Sequence, residues 1–375
     1  MTPPKPGRDL RLDFFRGLSL WYIFLDHVPS NTVAWLTIRN YGFSDAAEIF
    51  VFISGYTATF VYGRVMRENG FIIGAARIFK RVWQLYVAFI FLTVIYLAEI
   101  AYVASRSDNP LFAEEMDILH FLRQPEVVLV EVLRLRFLLA NVDVLPLYIV
   151  LMAFFPLMLW LLLRSPNVAL ALSIAIWLAA RVTGFNLTLY PLGRPWFFNP
   201  FAWQLLFVIG GWCALGGARA LWPFLRSNVA TAILIVYLLF AMWLATTWLF
   251  PAVTARLPNW LIIFPLDKPG LSPLRLAHFL ALAILVVRLV PIDARILSTI
   301  YARPLILCGR HSLEVFCLGV FLSFTAHFLL VEISAEFIMQ VFVSMFGILL
   351  MVALAALMTW YKELDRRPQE KAATG

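Results

Sequence analysis

Arg16 and His27 lie eleven residues apart in the first long apolar run of the chain, which opens Leu12-Asp13-Phe14-Phe15-Arg16-Gly17 and closes at Asp26-His27. At about 100° per residue, eleven residues bring both side chains to nearly one helix face, roughly 16 Å apart along the axis. Arginine carries a permanent positive charge, and histidine takes and returns a proton near neutral pH. A charge at membrane depth costs roughly 2.5–3.5 kcal/mol on insertion scales, so four ionisable groups in one span need partners, water or a chemical role. The chemical reading is an anion site near one end of a helix and a proton-transfer group near the other. The plainer reading pairs Asp13 with Arg16, three residues on, and lets Arg16 snorkel to an inner interface. It makes His27 a hydrogen-bonded core histidine. Asp26 is either the carboxylate that orients His27 or an interface residue, because adjacent helical residues point about 100° apart.

Three further groupings bear on chemistry. Ser44-Asp45-Ala46-Ala47-Glu48 precedes the apolar run from Ile49 to Tyr56. Asp45 and Glu48 are three apart, so they share a helix face and could orient or deprotonate a nearby histidine. Acids in a first helical turn are equally explained by capping, and for Asp45 that explanation is preferred. Arg77, Lys80 and Arg81 place three cations within five residues. They suit an anionic ligand, or else lipid headgroups under the positive-inside rule. Arg310 and Glu314 stand four apart in Gly309-Arg310-His311-Ser312-Leu313-Glu314, either as an anion contact plus acid or as an ion pair. His120, His278 and His327 have no sequence neighbours of matching chemistry and read as structural. There is no metal-ligand spacing, nucleotide-binding glycine loop or serine elbow. Cys213, Cys308 and Cys317 form no disulfide framework.

The elements that hold these residues must be membrane helices. The chain is 62% hydrophobic and only 14% charged, against about 25% charged in soluble proteins. The expected fold is all-α, a polytopic bundle of about ten transmembrane helices. The spans are placed near 12–30, 46–62, 82–103, 145–163, 168–184, 201–221, 229–250, 274–290, 311–331 and 337–360. With both termini in the cytoplasm, nineteen of the 30 basic residues fall in inside segments, which sets the orientation. The net charge of +8 therefore reflects topology and lipid contact, and no nucleic-acid partner is expected. The charged interruption of the first run argues against a cleavable signal.

One domain over residues 1–362 is expected, followed by a polar tail, 363–375, whose composition predicts disorder. The outside segment 104–144 contains an amphipathic stretch that begins at Glu114-Glu115-Met116-Asp117 and runs to Phe137, suited to one or two helices on the outer face. A second outside segment, 251–273, is rich in proline. No internal repeat is visible, which weakens a transporter reading.

Residues 8–17 (Arg-Asp-Leu-Arg-Leu-Asp-Phe-Phe-Arg-Gly), Asp26-His27, the stretch Asn40 to Tyr56 and Gly309 to Glu314 together resemble the OpgC family, within the acyltransferase-3 type membrane enzymes. The resemblance runs over nearly the whole chain. It implies a bacterial inner-membrane enzyme that succinylates osmoregulated periplasmic glucans. It implies a catalytic reading of the Arg-x10-His spacing at Arg16 and His27. It makes Arg77, Lys80 and Arg81 similar to the superfamily's Arg-x-x-Arg element, with Lys80 keeping the charge but losing the bidentate fork. On that basis succinyl-CoA is the expected donor substrate, with no permanently bound cofactor and no metal. Its phosphates would meet Arg16, Arg77, Lys80, Arg81 and Arg310. His27 would act as general base on a glucan hydroxyl, assisted by Asp26 or Glu48, with no covalent acyl-enzyme. The expected partners are acyl-CoA, a periplasmic glucan and the bilayer, and the reading admits a homo-oligomer. The alternatives are an acetyltransferase acting on another surface polysaccharide, and a non-enzymatic glycan or anion transporter.

Overall fold

The computed structural model describes residues 9–104, 119–191, 193–247 and 266–374. It is helical throughout: among the described residues the one β pairing is an isolated bridge between Thr188 and Pro195. The acidic start of the outer amphipathic stretch, 114–117, and most of segment 251–273 lie outside the described residues. The helices group into two compact units, one formed by residues 1–40 and 282–375 and the other by residues 41–281.

In the terminal unit, α1 (Leu10–Asp26) packs with α11 (Arg303–Arg310), α12 (Ser312–Glu332) and α13 (Phe337–Thr374). Asp9 caps α1 by accepting from the Arg11 amide at 3.0 Å. The buried stripe on α1 runs Asp13, Gly17, Leu20, Phe24, the three- and four-residue spacing of a helix face. Two glycines bring α1 and α11 together backbone to backbone. A Cβ on Gly17 would collide with the Leu305 carbonyl, and one on Gly309 with the Asp13 carbonyl. Small residues at such crossings replace the hydrophobic drive that lipid does not supply. The Phe24 ring fills the place where a Gly347 side chain would stand on α13. The helix α13 runs to Thr374.

The central unit begins with α2 (Ala46–Ala104), which breaks at Gly70. There φ is 84° and ψ 171°, a conformation that only glycine takes at low cost. The arms, 46–69 and 71–104, carry the second and third predicted spans. After two short helices, α3 (Leu119–Arg123) and α4 (Pro125–Leu133), come α5 (Val144–Arg164), α6 (Pro166–Thr183) and α7 (Pro200–Ala214). The first arm of α2 meets α7 as closely as α1 meets α11. Gly55 lies on the Phe207 carbonyl, and Gly210 on the Phe52 carbonyl. Then follow α8 (Trp222–Leu225), α9 (Asn228–Thr247) and α10 (Pro273–Leu289), of which residues up to Ala281 belong to this unit.

Six helices among the described residues are long and apolar enough to cross a membrane: α2, α5, α6, α9, α12 and α13. The protein is a multi-pass membrane protein. Each of the ten predicted spans falls on a described helix, with α1 and α7 shorter than their predictions.

Candidate active site

The polar groups of the terminal unit gather at the two ends of α1. Near its start, Asp13 is buried, and the Arg310 Nε lies 3.7 Å from its carboxylate. Arg16 stands one turn further along, half-buried, with its Nε shielded from solvent. Next to Arg310, the buried His311 ring is held on both sides. Its Nε2 lies 2.9 Å from Thr359 Oγ1, and its Nδ1 lies 3.4 Å from Lys362 Nζ on α13. This end therefore carries Arg310 on the buried Asp13 carboxylate, Lys362 on the adjacent His311, and Arg16 one helical turn beyond Asp13, cations suited to anionic ligands.

At the other end, His27 caps α1, its amide donating to the Ile23 carbonyl at 3.1 Å. The ring is half-buried and its Nδ1 is shielded from solvent. Asp26 accepts from Thr37 Oγ1 at 2.7 Å, and Arg39 donates to the Asp26 carbonyl at 3.3 Å. The segment between them is tied to α13, where Asn31 Nδ2 donates to Ser344 Oγ at 3.0 Å and the Thr32 amide to Gln340 Oε1 at 2.7 Å. The ends of one helix thus carry the cationic group and the histidine, and α13 holds the segments next to them through His311, Asn31 and Thr32.

The central unit holds an ionic quartet of three buried groups, Asp45, Glu48 and Arg275, and the partly exposed Lys268. Arg275 Nε donates to Glu48 Oε1 at 2.8 Å, and its Nη2 lies 3.0 Å from Asp45 Oδ2. Lys268 Nζ lies 2.7 Å from the same Asp45 oxygen. The two acids also cap α2 reciprocally: the Asp45 amide donates to Glu48 Oε2 at 2.9 Å, and the Ala47 amide to Asp45 Oδ1 at 2.9 Å. Burial alone would raise the Asp45 carboxyl, but the Lys268 ammonium and the Arg275 guanidinium outweigh it and hold that carboxyl well below the usual range. Beside the quartet, Ser44 Oγ and His278 Nδ1 share a 2.7 Å hydrogen bond, and the ring sits where a Gly42 Cβ would be. Arg77 and Lys80 are exposed and Arg81 half-buried on the second arm of α2, and Arg81 donates to Gln84 at 3.2 Å.

A family model described as OpgC protein matches residues 8–363. The chain belongs to the OpgC family. Membership implies an acyltransferase-type role in glucan modification. No curated protein and no solved structure matches the chain.

In this OpgC protein the sequence-derived site residues divide between the units. Asp26, His27, Arg16 and Arg310 belong to the terminal unit, and Glu48, Arg77, Lys80 and Arg81 to the central one. Two expectations are corrected. Arg310 and Glu314 are not helix neighbours, because the chain leaves α11 at Arg310 and starts α12 at Ser312, and the Arg310 partner is Asp13. His278 is not without a chemical neighbour, since Ser44 supplies one across 234 residues. Arg275 and Lys268 belong to none of the sequence motifs. Arg275 gave the same signal as Arg16, an ionisable group inside an apolar run. His311 and Lys362 gave no signal, because they meet only through tertiary packing.

Proposed function

We propose that this OpgC-family protein moves a succinyl group from cytoplasmic succinyl-CoA to hydroxyls of osmoregulated periplasmic glucans in the bacterial inner membrane. Ten spans with both termini in the cytoplasm place the start of α1 inside and His27 toward the periplasm. The observation that carries the reading is α1 itself, with Arg16 in the cationic cluster at one end and His27 at the other. The roughly 16 Å between them matches the reach of an extended pantetheine arm. Arg16 and Arg310 hold donor phosphates.

His27 acts as general base. With Nδ1 shielded, Nε2 is the nitrogen that meets the acceptor hydroxyl. It takes the hydroxyl proton as the oxygen attacks the thioester carbonyl. The tetrahedral adduct collapses, the carbon–sulfur bond breaks, and the CoA thiolate leaves. The acceptor is itself the nucleophile, so no serine or cysteine ester forms. Asp26 is the carboxylate assigned to stabilise the imidazolium, because both Glu48 oxygens are engaged by Arg275 and the Asp45 amide.

The test is purified protein in nanodiscs with succinyl-CoA, acetyl-CoA or free CoA, with thiol release followed with and without a periplasmic glucan. Glucan-dependent release that prefers succinyl-CoA is expected. Preference for acetyl-CoA moves the donor, and absence of CoA binding replaces the enzyme with a transporter. His27→Ala should abolish transfer and leave CoA binding within about twofold, because a general base acts on the acceptor proton.

A further inference from the structure

Beside Arg310 and His311, the terminal unit has a further cation, Lys362, that the sequence motifs do not include. We propose that Lys362 is a phosphate-contacting residue of the donor site and that the His311 ring holds it there. The inference rests on the acyl-CoA reading above.

The hydrogen bonds assign the proton on His311. Thr359 Oγ1 has one hydrogen, and it goes to the Ala355 carbonyl at 2.9 Å. Thr359 must therefore accept from His311 Nε2–H across 2.9 Å. Nε2 then carries the ring proton, and the Nδ1 lone pair accepts from the Lys362 ammonium at 3.4 Å. The chain Lys362 to His311 to Thr359 to Ala355 runs in one donor direction and ends on the α13 backbone. His311 is buried, whereas Lys362 is exposed. One ammonium proton is thus anchored on a rigid acceptor while the other two face outward. An ammonium is a compact charge with rotatable donors, suited to a phosphate oxygen.

The anchor also fixes position. His311 follows Arg310, whose Nε lies 3.7 Å from the Asp13 carboxylate on α1, one turn before Arg16. Asp13 pairs with Arg310, and the other acids nearby in sequence are Asp9, which pairs with Arg11, Glu314 in the first turn of α12, the exposed Glu363, and Asp365. A phosphate ester is the chemistry this leaves room for, and it has two possible sources: the nucleotide end of CoA or a lipid headgroup.

The experiment compares succinyl-CoA with succinyl-pantetheine, which lacks every phosphate, in nanodiscs of phosphatidylcholine alone and with added phosphatidylglycerol. Lys362→Met should lower the ratio of kcat/KM for succinyl-CoA to that for succinyl-pantetheine by roughly tenfold, the size of one charge-assisted hydrogen bond. The change should lie in KM and be the same in both lipids. His311→Ala should reproduce it, and His311→Asn, whose amide oxygen can take the Nδ1 place, should restore much of it. Equal losses with both donors would make Lys362 structural, and an effect seen only with phosphatidylglycerol would assign it to lipid headgroups. Either overturns the inference while the acyltransferase reading stands. Wild-type protein that releases no thiol from either donor defeats the reading and this inference together.

Discussion

The Arg310 Nε stands 3.7 Å from the Asp13 carboxylate, joining the last residue of α11 to the first turns of α1. The acid is buried and the base 37% exposed, so the two sides of the pair are not equivalent. Removing Arg310 strips compensation from a buried carboxylate, while removing Asp13 frees a cation that reaches water. Arg310→Ala should therefore destabilise the protein by about 1–2 kcal/mol, below the 3–5 typical of a fully buried pair. Adding Asp13→Asn should recover part of the loss, read from thermal unfolding in detergent.

Gly17 and Gly309 press on carbonyls of the facing helix. Gly309→Ala should force α1 and α11 apart and cost about 1–3 kcal/mol or more, as overpacking does. The same displacement should weaken CoA binding, because Arg16 and Arg310 would no longer be held on facing turns. Isothermal titration alongside unfolding would check both.

The central quartet should respond as a unit. Arg275→Met leaves Asp45 with Lys268 alone and Glu48 with a buried carboxylate opposite an apolar chain. The expected cost is about 3–5 kcal/mol. Glu48→Gln in the same protein should lower it, with a coupling energy of about 1–3 kcal/mol in a double-mutant cycle.

Asp45 gives this quartet a pH dependence. Its folded-state carboxyl is depressed, so its contribution is fully present above the ordinary carboxylate range and declines as pH falls through that range, near 4. Stability measured from pH 7 down to pH 3 should fall. Lys268→Met, which removes one of the two compensating cations, should flatten the acid side of the curve. An unchanged slope would show that Asp45 is not the group responsible.

Helices were legible in the sequence because membrane burial writes them as long apolar runs. The predicted runs fall on described helices for that reason, and six of these helices are long and apolar enough to cross a membrane. Arg16 and His27 were legible because charge inside such a run has no cheap explanation. Partner choice was not legible. Asp13 meets Arg310 and Glu48 meets Arg275, each across more than two hundred residues, and no local spacing encodes such pairs. Arg310 and Glu314 show the converse, since four-residue spacing means nothing once the helix between them ends. The Gly70 break was hidden as well, because a glycine among basic residues reads as a loop when only its conformation is unusual.

The terminal unit draws on both ends of the chain, residues 1–40 and 282–375. During synthesis α1 leaves the ribosome first, but Arg310 and α13 are made last. At 5–20 residues per second, Asp13 waits roughly 15–60 s for its partner. Throughout that interval a helix with two acids and two arginines, capped by a histidine, must be kept from lipid by something other than its native neighbours. A chain truncated before α11 would leave it in that state for good, so loss of about the last fifth of the chain should be read out first at the N-terminus, as a failure of α1 to stay inserted.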